Sequence, residues 1–466
     1  MSQSSKAALR MMARRRVPRY YDHPRDIVIS RGQGVHLYDM DGKPFFDLLA
    51  GFGACSLGHS HPEMVRVLSD QASKVALTSR AVLNDVLPQT AEFIASLLGY
   101  DKFLPSSSGV EACETAVKLA RRYGYVKRGI PHDEARVLLM DNCFWGRSIT
   151  ACSGNDERSY RFGPQTPNFD RVPYDDMEAV RSYLEKTPYC VAVMLEPIQG
   201  EAGTIVPGDG FVAAVKNVCS QYGVLLVCDE VQSGLGRTGH LMGYHHDLPE
   251  AGNLIKDTKP DIVTLGKALS AGYYAASGCL ANNDIMDLLN VGEHGSTYGG
   301  NPLAMAVSQR AVQLLFEHDC IDNARRTGEI MRNNLRHIAN DFAAGETAAP
   351  PFIVRGRGQM NAIEVNTELC DPQFLCASML KHGLLTRVSG RYKNTLRLTP
   401  PLIISEAEVE EVSERLRDAM LDVFRGPPAT EPAFVAGTLA LENDDRDDMT
   451  ESLLRNDVMM PTFQFL

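Results

Sequence analysis

Val224-Leu225-Leu226-Val227-Cys228 is an apolar run that ends on Asp229-Glu230-Val231-Gln232, and Asp261-Ile262-Val263-Thr264-Leu265 is another that ends on Gly266-Lys267-Ala268-Leu269-Ser270. Both are too short for a helix, and their branched side chains suit strands buried on both faces. Arg136–Met140 and Val191–Leu195 repeat the pattern upstream. Ala112–Tyr123 and Gly210–Tyr222 carry apolar residues at helical spacing and fall between the runs. Short buried strands alternating with helices predict an α/β domain, a parallel sheet wrapped by helices.

Away from this centre the texture changes. Val35–Asp39 and Pro44–Leu49 read as an antiparallel pair around the turn Asp41-Gly42. Helices are expected at Ala304–Glu317 and Asp322–Asn340, strands at Gly358–Val365 and Thr395–Leu398, and a closing amphipathic helix at Ser405–Phe424. That order reads as a smaller α+β domain. The expected organisation is a basic arm (1–20), a segment packing with the small domain (21–60), a large domain (61–310), a small C-terminal domain (311–425) and an acidic flexible tail (426–466). There is no internal repeat.

The chain has 466 residues, enough for two or three domains, and is 44% hydrophobic and 23% charged, which excludes collagen-like, disordered and disulfide-stapled classes. Asp and Glu outnumber Lys and Arg by 58 to 47. A basic surface for nucleic acid is therefore a poor first reading. No run approaches the ~20 apolar residues needed to cross a bilayer. The 11 cysteines are scattered, with no CxxC pair and no zinc spacing, which fits reduced thiols and no metal site. Residues 1–20 hold Lys6, Arg10, Arg14, Arg15, Arg16 and Arg19 and no acid. A solvated arm folding onto the body or a partner subunit is the favoured reading, and a mitochondrial presequence is the other. The compartment is accordingly cytoplasmic, with the mitochondrial matrix as the alternative. From Pro427 onward eight acids face Arg446 and Arg455, which reads as a mobile tail.

Ligands of open α/β sheets sit beyond the carboxyl ends of the strands. Asp229 follows one buried run and Lys267 another. Lys267 lies between Leu265 and Ala268 in an uncharged stretch, which lowers an amine's pKa and makes it a usable nucleophile. Pro105-Ser106-Ser107-Ser108-Gly109-Val110-Glu111-Ala112 opens the first strong helix, and its hydroxyls, glycine and free N–H groups suit a phosphate. His294-Gly295-Ser296-Thr297-Tyr298-Gly299-Gly300-Asn301 is a second cluster of small donors. Together these are the parts of a pyridoxal phosphate site. Lys267 would bond covalently to the cofactor, and Asp229 would pair with its protonated ring nitrogen. Ser108, Gly109 and Val110 would hold the phosphate, and Phe144 or Trp145 would stack on the ring. Singly, each element has a plainer reading. An acid after a strand is commonly a cap, a Ser-Gly helix start an N-cap, and a lone lysine structural. Only their joint order is specific.

The strings VCDEVQSGLGRTG (227–239) and KPDIVTLGKALSAG (259–272) resemble the signature of class III pyridoxal-phosphate aminotransferases. GVEACETAVKLARRYGY (109–125), FWGRSITA (144–151), EPIQGEAG (196–203) and GEHGSTYGGNPLA (292–304) resemble ornithine aminotransferases, and the likeness runs over about residues 20–425. The resemblance implies the fold-type I architecture: a large domain with a mostly parallel seven-stranded sheet plus a small α+β C-terminal domain. It implies a homodimer with shared active sites, in which Ser296 and Thr297 reach the neighbouring subunit's cofactor phosphate. It implies that Gln232 hydrogen-bonds the phenolic oxygen of the cofactor. Arg397, in LRLTPP, would bind the α-carboxylate of glutamate as a fork. Glu201 would neutralise Arg397 when an ω-amino donor is bound, and Arg147 would hold the distal carboxylate.

The implied reaction moves the terminal amine of a diamino acid, ornithine first, to 2-oxoglutarate. It yields glutamate and a semialdehyde that cyclises. Two positions depart from the family. Asp22 precedes His23-Pro24 where the family usually has tyrosine, and Phe52 stands in AGFGACSLGHSHP where the family has tyrosine. Asp22 would attract the α-ammonium of a diamino acid, and Phe52 gives a more apolar wall that suits lysine. Lysine ε-transamination is the runner-up, ahead of 4-aminobutyrate and N-acetylornithine. An aminomutase, decarboxylase or racemase of the same class is the alternative chemistry, which the Glu201–Arg397 pair disfavours. A scaffold without cofactor is the non-enzymatic alternative. A dehydrogenase is disfavoured because no GxGxxG follows a strand.

Overall fold

The computed structural model describes residues 5–18, 27–155, 161–247, 259–343 and 349–424. Its centre is a seven-stranded sheet in the order β4-β10-β9-β8-β7-β5-β6. The strands are β4 (Lys102–Ser106), β5 (Arg136–Met140), β6 (Phe169–Val172), β7 (Cys190–Leu195), β8 (Leu225–Asp229), β9 (Ile262–Leu265) and β10 (Ser277–Ala281). Neighbours from β9 through β6 pair in parallel, while β10 is antiparallel to both β9 and β4. This is the mostly parallel sheet that the resemblance implies.

The parallel strands are buried on both faces, as their unbroken apolar runs require. Alternate side chains feed opposite layers. Leu138, Met140, Val193, Leu195, Leu226 and Cys228 enter one core. Val137, Leu139, Val191, Met194, Leu225 and Val227 enter the other. The helix Gly109–Lys127 covers the second layer, starting from a Ser108–Glu111 capping box.

Strands β4 and β10 escape the sequence pattern for physical reasons. β4 contains Pro105, which an edge strand tolerates because one side of its backbone needs no ladder donors. β10 reads Ser-Gly-Cys-Leu-Ala and has no branched residue to announce it. It is buried throughout all the same.

A second sheet joins β1 (Ile29–Gln33), β2 (His36–Asp39), β3 (Pro44–Asp47) and β13 (Leu384–Leu385). β3 pairs in parallel with β13, so the beginning of the described body is stitched to its end. A third, antiparallel sheet runs β11 (Phe352–Arg357), β12 (Met360–Val365), β15 (Thr395–Leu398) and β14 (Val388–Ser389). Ala362 lies opposite Arg397 in the β12–β15 register. The helices Pro302–Glu317 and Cys320–Asp341 lead into this sheet, and Glu406–Phe424 follows it.

In the basic arm, Lys6–Arg16 is a helix capped by Ser5, and the Lys6 ammonium meets the carboxylates of Asp39 and Asp41. The described residues up to Val423 form one compact unit. The acidic tail expected at 426–466 lies outside the described residues. Among the described residues no helix is long and apolar enough to cross a membrane. No disulfide joins the eleven cysteines, and most of them are buried.

Candidate active site

The carboxyl ends of β4, β5, β7, β8 and β9 open on one edge of the central sheet, and the expected chemistry hangs from them. Asp229 is the last residue of β8 and is 5% exposed. Its Oδ1 accepts the Val231 N–H (3.0 Å) and the Thr264 hydroxyl (2.9 Å). Its Oδ2 accepts the Cys113 thiol (3.2 Å). Burial raises this carboxyl above the usual range, against the pull of these donors and of Lys267.

Lys267 starts a short 3₁₀ turn just beyond β9, with φ at +41°. A left-handed backbone at a side chain this long costs about 1 kcal/mol or more and marks sites where position matters. Burial lowers the ammonium's pKa, while Glu201, Asp229 and Glu196 oppose that and Arg397 adds to it. Five groups on four segments thus share one electrostatic neighbourhood. Val231 locks two of the segments together. A Cβ on Gly109 would come within 2.8 Å of Val231 Cγ1, and one on Gly266 within 3.2 Å. Only glycine lets the phosphate-type helix start and the lysine strand close on the same valine.

At that helix start the Ser107 and Ser108 N–H groups donate to Glu111 Oε2, at 2.9 and 2.8 Å. The Ser277 hydroxyl donates to the Ser108 carbonyl at 2.7 Å. Gly109 and Val110 contribute first-turn N–H groups that a helix cannot satisfy by itself. Ser296 and Thr297 sit on the surface beside this start. With Ser107, Glu111, Tyr274 and Tyr298 they line a depression of about 500 Å³.

Phe144 and Trp145 part ways. Trp145 is buried in the core against Phe169, with ring centroids 5.7 Å apart. Phe144 is half-buried, and the exposed Arg147 guanidinium lies 5.2 Å from its ring centre. The Phe144 N–H donates to Glu196 Oε1 (3.0 Å), and the Gly200 N–H donates to Glu196 Oε2 (2.9 Å). Glu196 therefore ties the loop of Phe144 and Arg147 to the loop of Glu201. Burial and the charge of Asp229 push it up to about 8. Sequence reasoning passed it over, although it follows Val191–Leu195 just as Asp229 follows its own strand.

On the other side of the site, Arg397 is 2% exposed and paired with Glu201 in a double bridge. Nη1 lies 2.7 Å from Oε1, and Nη2 lies 2.7 Å from Oε2. The Nε–H donates to the Ser389 hydroxyl at 3.0 Å. Burial acts to raise the Glu201 carboxyl, but Arg397, Lys267 and Arg147 together hold it below its ordinary value.

The Phe52 ring lies 5.7 Å from the Arg397 guanidinium. Its backbone belongs to four consecutive residues with positive φ: Ala50 (45°), Gly51 (60°), Phe52 (59°) and Gly53 (89°). The loop after β8 holds this turn. Gln232 Nε2 donates to the Phe52 carbonyl (3.1 Å), and the fully buried Arg237 donates to the Gly53 carbonyl (3.4 Å). Asp22 lies outside the described residues. Among the described residues no group of three or more His, Cys, Asp or Glu side chains suits a metal.

The family model Aminotransferase class-III matches residues 17–420. The chain belongs to the class-III aminotransferases. The mitochondrial ornithine aminotransferase of Drosophila melanogaster is 41% identical over 403 residues, covering 86% of this chain and 89% of the relative. The solved structure of ornithine aminotransferase from Toxoplasma gondii ME49 superposes with a TM-score of 0.83 and 38% identity, over 90% of this chain and 96% of that one. An acetylornithine aminotransferase structure from Elizabethkingia anophelis gives 0.79 and 36%, over 90% and 100%. This aminotransferase is an enzyme of a family that works with pyridoxal phosphate.

Proposed function

We propose that this class-III aminotransferase transfers the terminal amine of ornithine to 2-oxoglutarate, producing glutamate and a semialdehyde that loses water on ring closure. The buried double bridge between Glu201 and Arg397 carries the reading. A site serving two half-reactions needs a cation for the glutamate α-carboxylate and a way to silence it when the donor's chain occupies the same place. A buried arginine without a partner is costly, so Glu201 supplies the counter-charge until a carboxylate displaces it. Arg147 holds the distal carboxylate from the exposed side of Phe144.

The cofactor pocket fits pyridoxal phosphate. A buried carboxylate suits a protonated ring nitrogen, a buried amine stands within its field, and a helix start offers N–H groups to a phosphate. Bound there, the cofactor supplies an aldehyde carbon that takes up the amine and a ring that withdraws electrons. Lys267 contributes an amine that burial keeps ready to accept a proton from the amine-bearing carbon. Asp229 would pair with the protonated ring nitrogen. Phe144 would cover a face of the cofactor ring, and Gln232, braced through Phe52, would reach its phenolic oxygen. Ser296 and Thr297 serve a second copy's phosphate, making the working unit a homodimer.

A donor panel at fixed 2-oxoglutarate tests this, with glutamate as the readout. Ornithine leads if the reading holds, and glutamate from no ω-amine sinks it. Lysine is the second reading, because the Phe52 ring offers no hydroxyl near Arg397. Phe52→Tyr and Asp22→Tyr, run on the same panel, separate the two. The cytoplasm is the proposed compartment, consistent with free thiols. The mitochondrial name of the Drosophila relative makes the matrix the second reading, and fractionation decides between them.

A further inference from the structure

The Asp229 carboxylate has a third donor that nothing in the reaction above uses. Cys113, on the helix Gly109–Lys127, is 1% exposed and points its thiol at Asp229 Oδ2 (3.2 Å) and toward Thr264 Oγ1 (3.6 Å). Burial and the Asp229 charge hold this thiol protonated, so it is a donor and no nucleophile. Oδ1 already accepts two strong donors, the Val231 N–H and the Thr264 hydroxyl. Oδ2 has only the thiol, and a carboxylate oxygen takes about two hydrogen bonds. The less occupied oxygen is therefore the one with room for a further N–H.

We propose that Cys113 is a positioning residue that acts on the cofactor's ring nitrogen through Asp229: its weak S–H donor draws some of the Oδ2 charge, less than a hydroxyl and more than a methyl would, and so sets how strongly that nitrogen is held. The argument rests on the cofactor reading given above. A hydroxyl at the same place would draw more charge from Oδ2, and a methyl would draw none. The other ionisable groups facing Asp229 are Lys267 from the β9 end, Glu196 from the β7 end, Cys143 after β5, and Cys228 and Glu230 from its own segment. None of them changes in the variants below, so a shift reports the Cys113 position.

The test uses the full chain loaded with pyridoxal phosphate labelled with 15N in the ring. Cys113→Ala moves the ring-nitrogen resonance toward its protonated position and slows cofactor release about fivefold, the scale of one ordinary hydrogen bond. Cys113→Ser moves the resonance and the release rate the opposite way. Thr264→Val, which strips a donor from Oδ1, follows Cys113→Ala and guards against a packing artefact at residue 113. A purely structural cysteine predicts that Ala and Ser shift in the same direction, or not at all, and either result overturns the proposal. A wild-type chain that takes up no cofactor overturns the underlying reading as well, so the two failures are distinguishable.

Discussion

Asp229 and Lys267 stand at the ends of adjacent strands of one sheet, whereas Arg397, Glu201 and Phe52 arrive from three separate segments of the chain. The cofactor side is positioned by a buried parallel ladder, and its geometry follows from strand order. The substrate side is positioned by loop-to-loop ties: Glu196 across two loops, Gln232 and Arg237 onto the left-handed turn, and Ser389 onto Arg397. A sheet resists change at a single point, and a set of ties does not. On the proposed reading, chemistry is thus placed where the structure is stiff, and the choice of donor where it is easily altered.

This contrast can be broken outright at Lys267. Lys267→Ala removes the amine and is expected to cut turnover by more than about a thousandfold for every donor alike, measured as glutamate formed. Retention of a donor-dependent rate would mean the two sides are not separable. Arg397→Ala is next. It is expected to lower kcat/KM for glutamate and 2-oxoglutarate by about a hundredfold through loss of a bidentate fork, while single-turnover amine uptake from ornithine falls far less. Glu201→Gln sharpens the contrast in the other direction, weakening the ω-amine donor about tenfold and favouring glutamate, because Arg397 is then never neutralised.

Phe52→Tyr is a smaller probe. It should alter the ratio of kcat/KM for ornithine over lysine by about tenfold and leave the glutamate half-reaction unchanged. The smallest expected effect is a pH slope in stability. Burial, with the charge of Asp229, pushes Glu196 up from an ordinary 4.5 to about 8, so between those values the folded protein holds a proton that the unfolded chain has lost. Stability therefore falls as pH rises through that window. In Glu196→Gln the group no longer titrates, and the fall in Tm between pH 5 and 8 should be shallower by about a few degrees.

Much of the geometry around Asp229, Lys267 and the helix start at Ser108 was legible in the chain because each piece has a local signature. A branched run followed by a charged residue marks β8 and β9, and Ser108-x-x-Glu111 marks the helix start. The central strands fall within a residue or so of expectation for the same reason. What stayed hidden depends on contacts rather than spacing. Cys113 looks like one more apolar position on its helix, and only packing turns its thiol toward Asp229. Arg397 sits in the middle of a four-residue strand, where register and not pattern decides what it meets, so it was reached by family resemblance. The antiparallel β10 lacks branched residues, and nothing in Ala50-Gly51-Phe52-Gly53 announces four left-handed residues in a row. Trp145 and Phe144 are neighbours in the chain, and the core claimed the larger one.

The parallel pairing of β3 with β13 has a consequence for how the molecule is made. Residues early in the body wait for later ones: Thr399 donates to the Leu48 carbonyl at 2.7 Å, and Leu402 to the Ser56 carbonyl at 2.8 Å. During synthesis the whole central sheet leaves the ribosome before any of these partners exists. The segment that carries Phe52 is translated before the residues that bond to it, and it finds its place only once they have emerged.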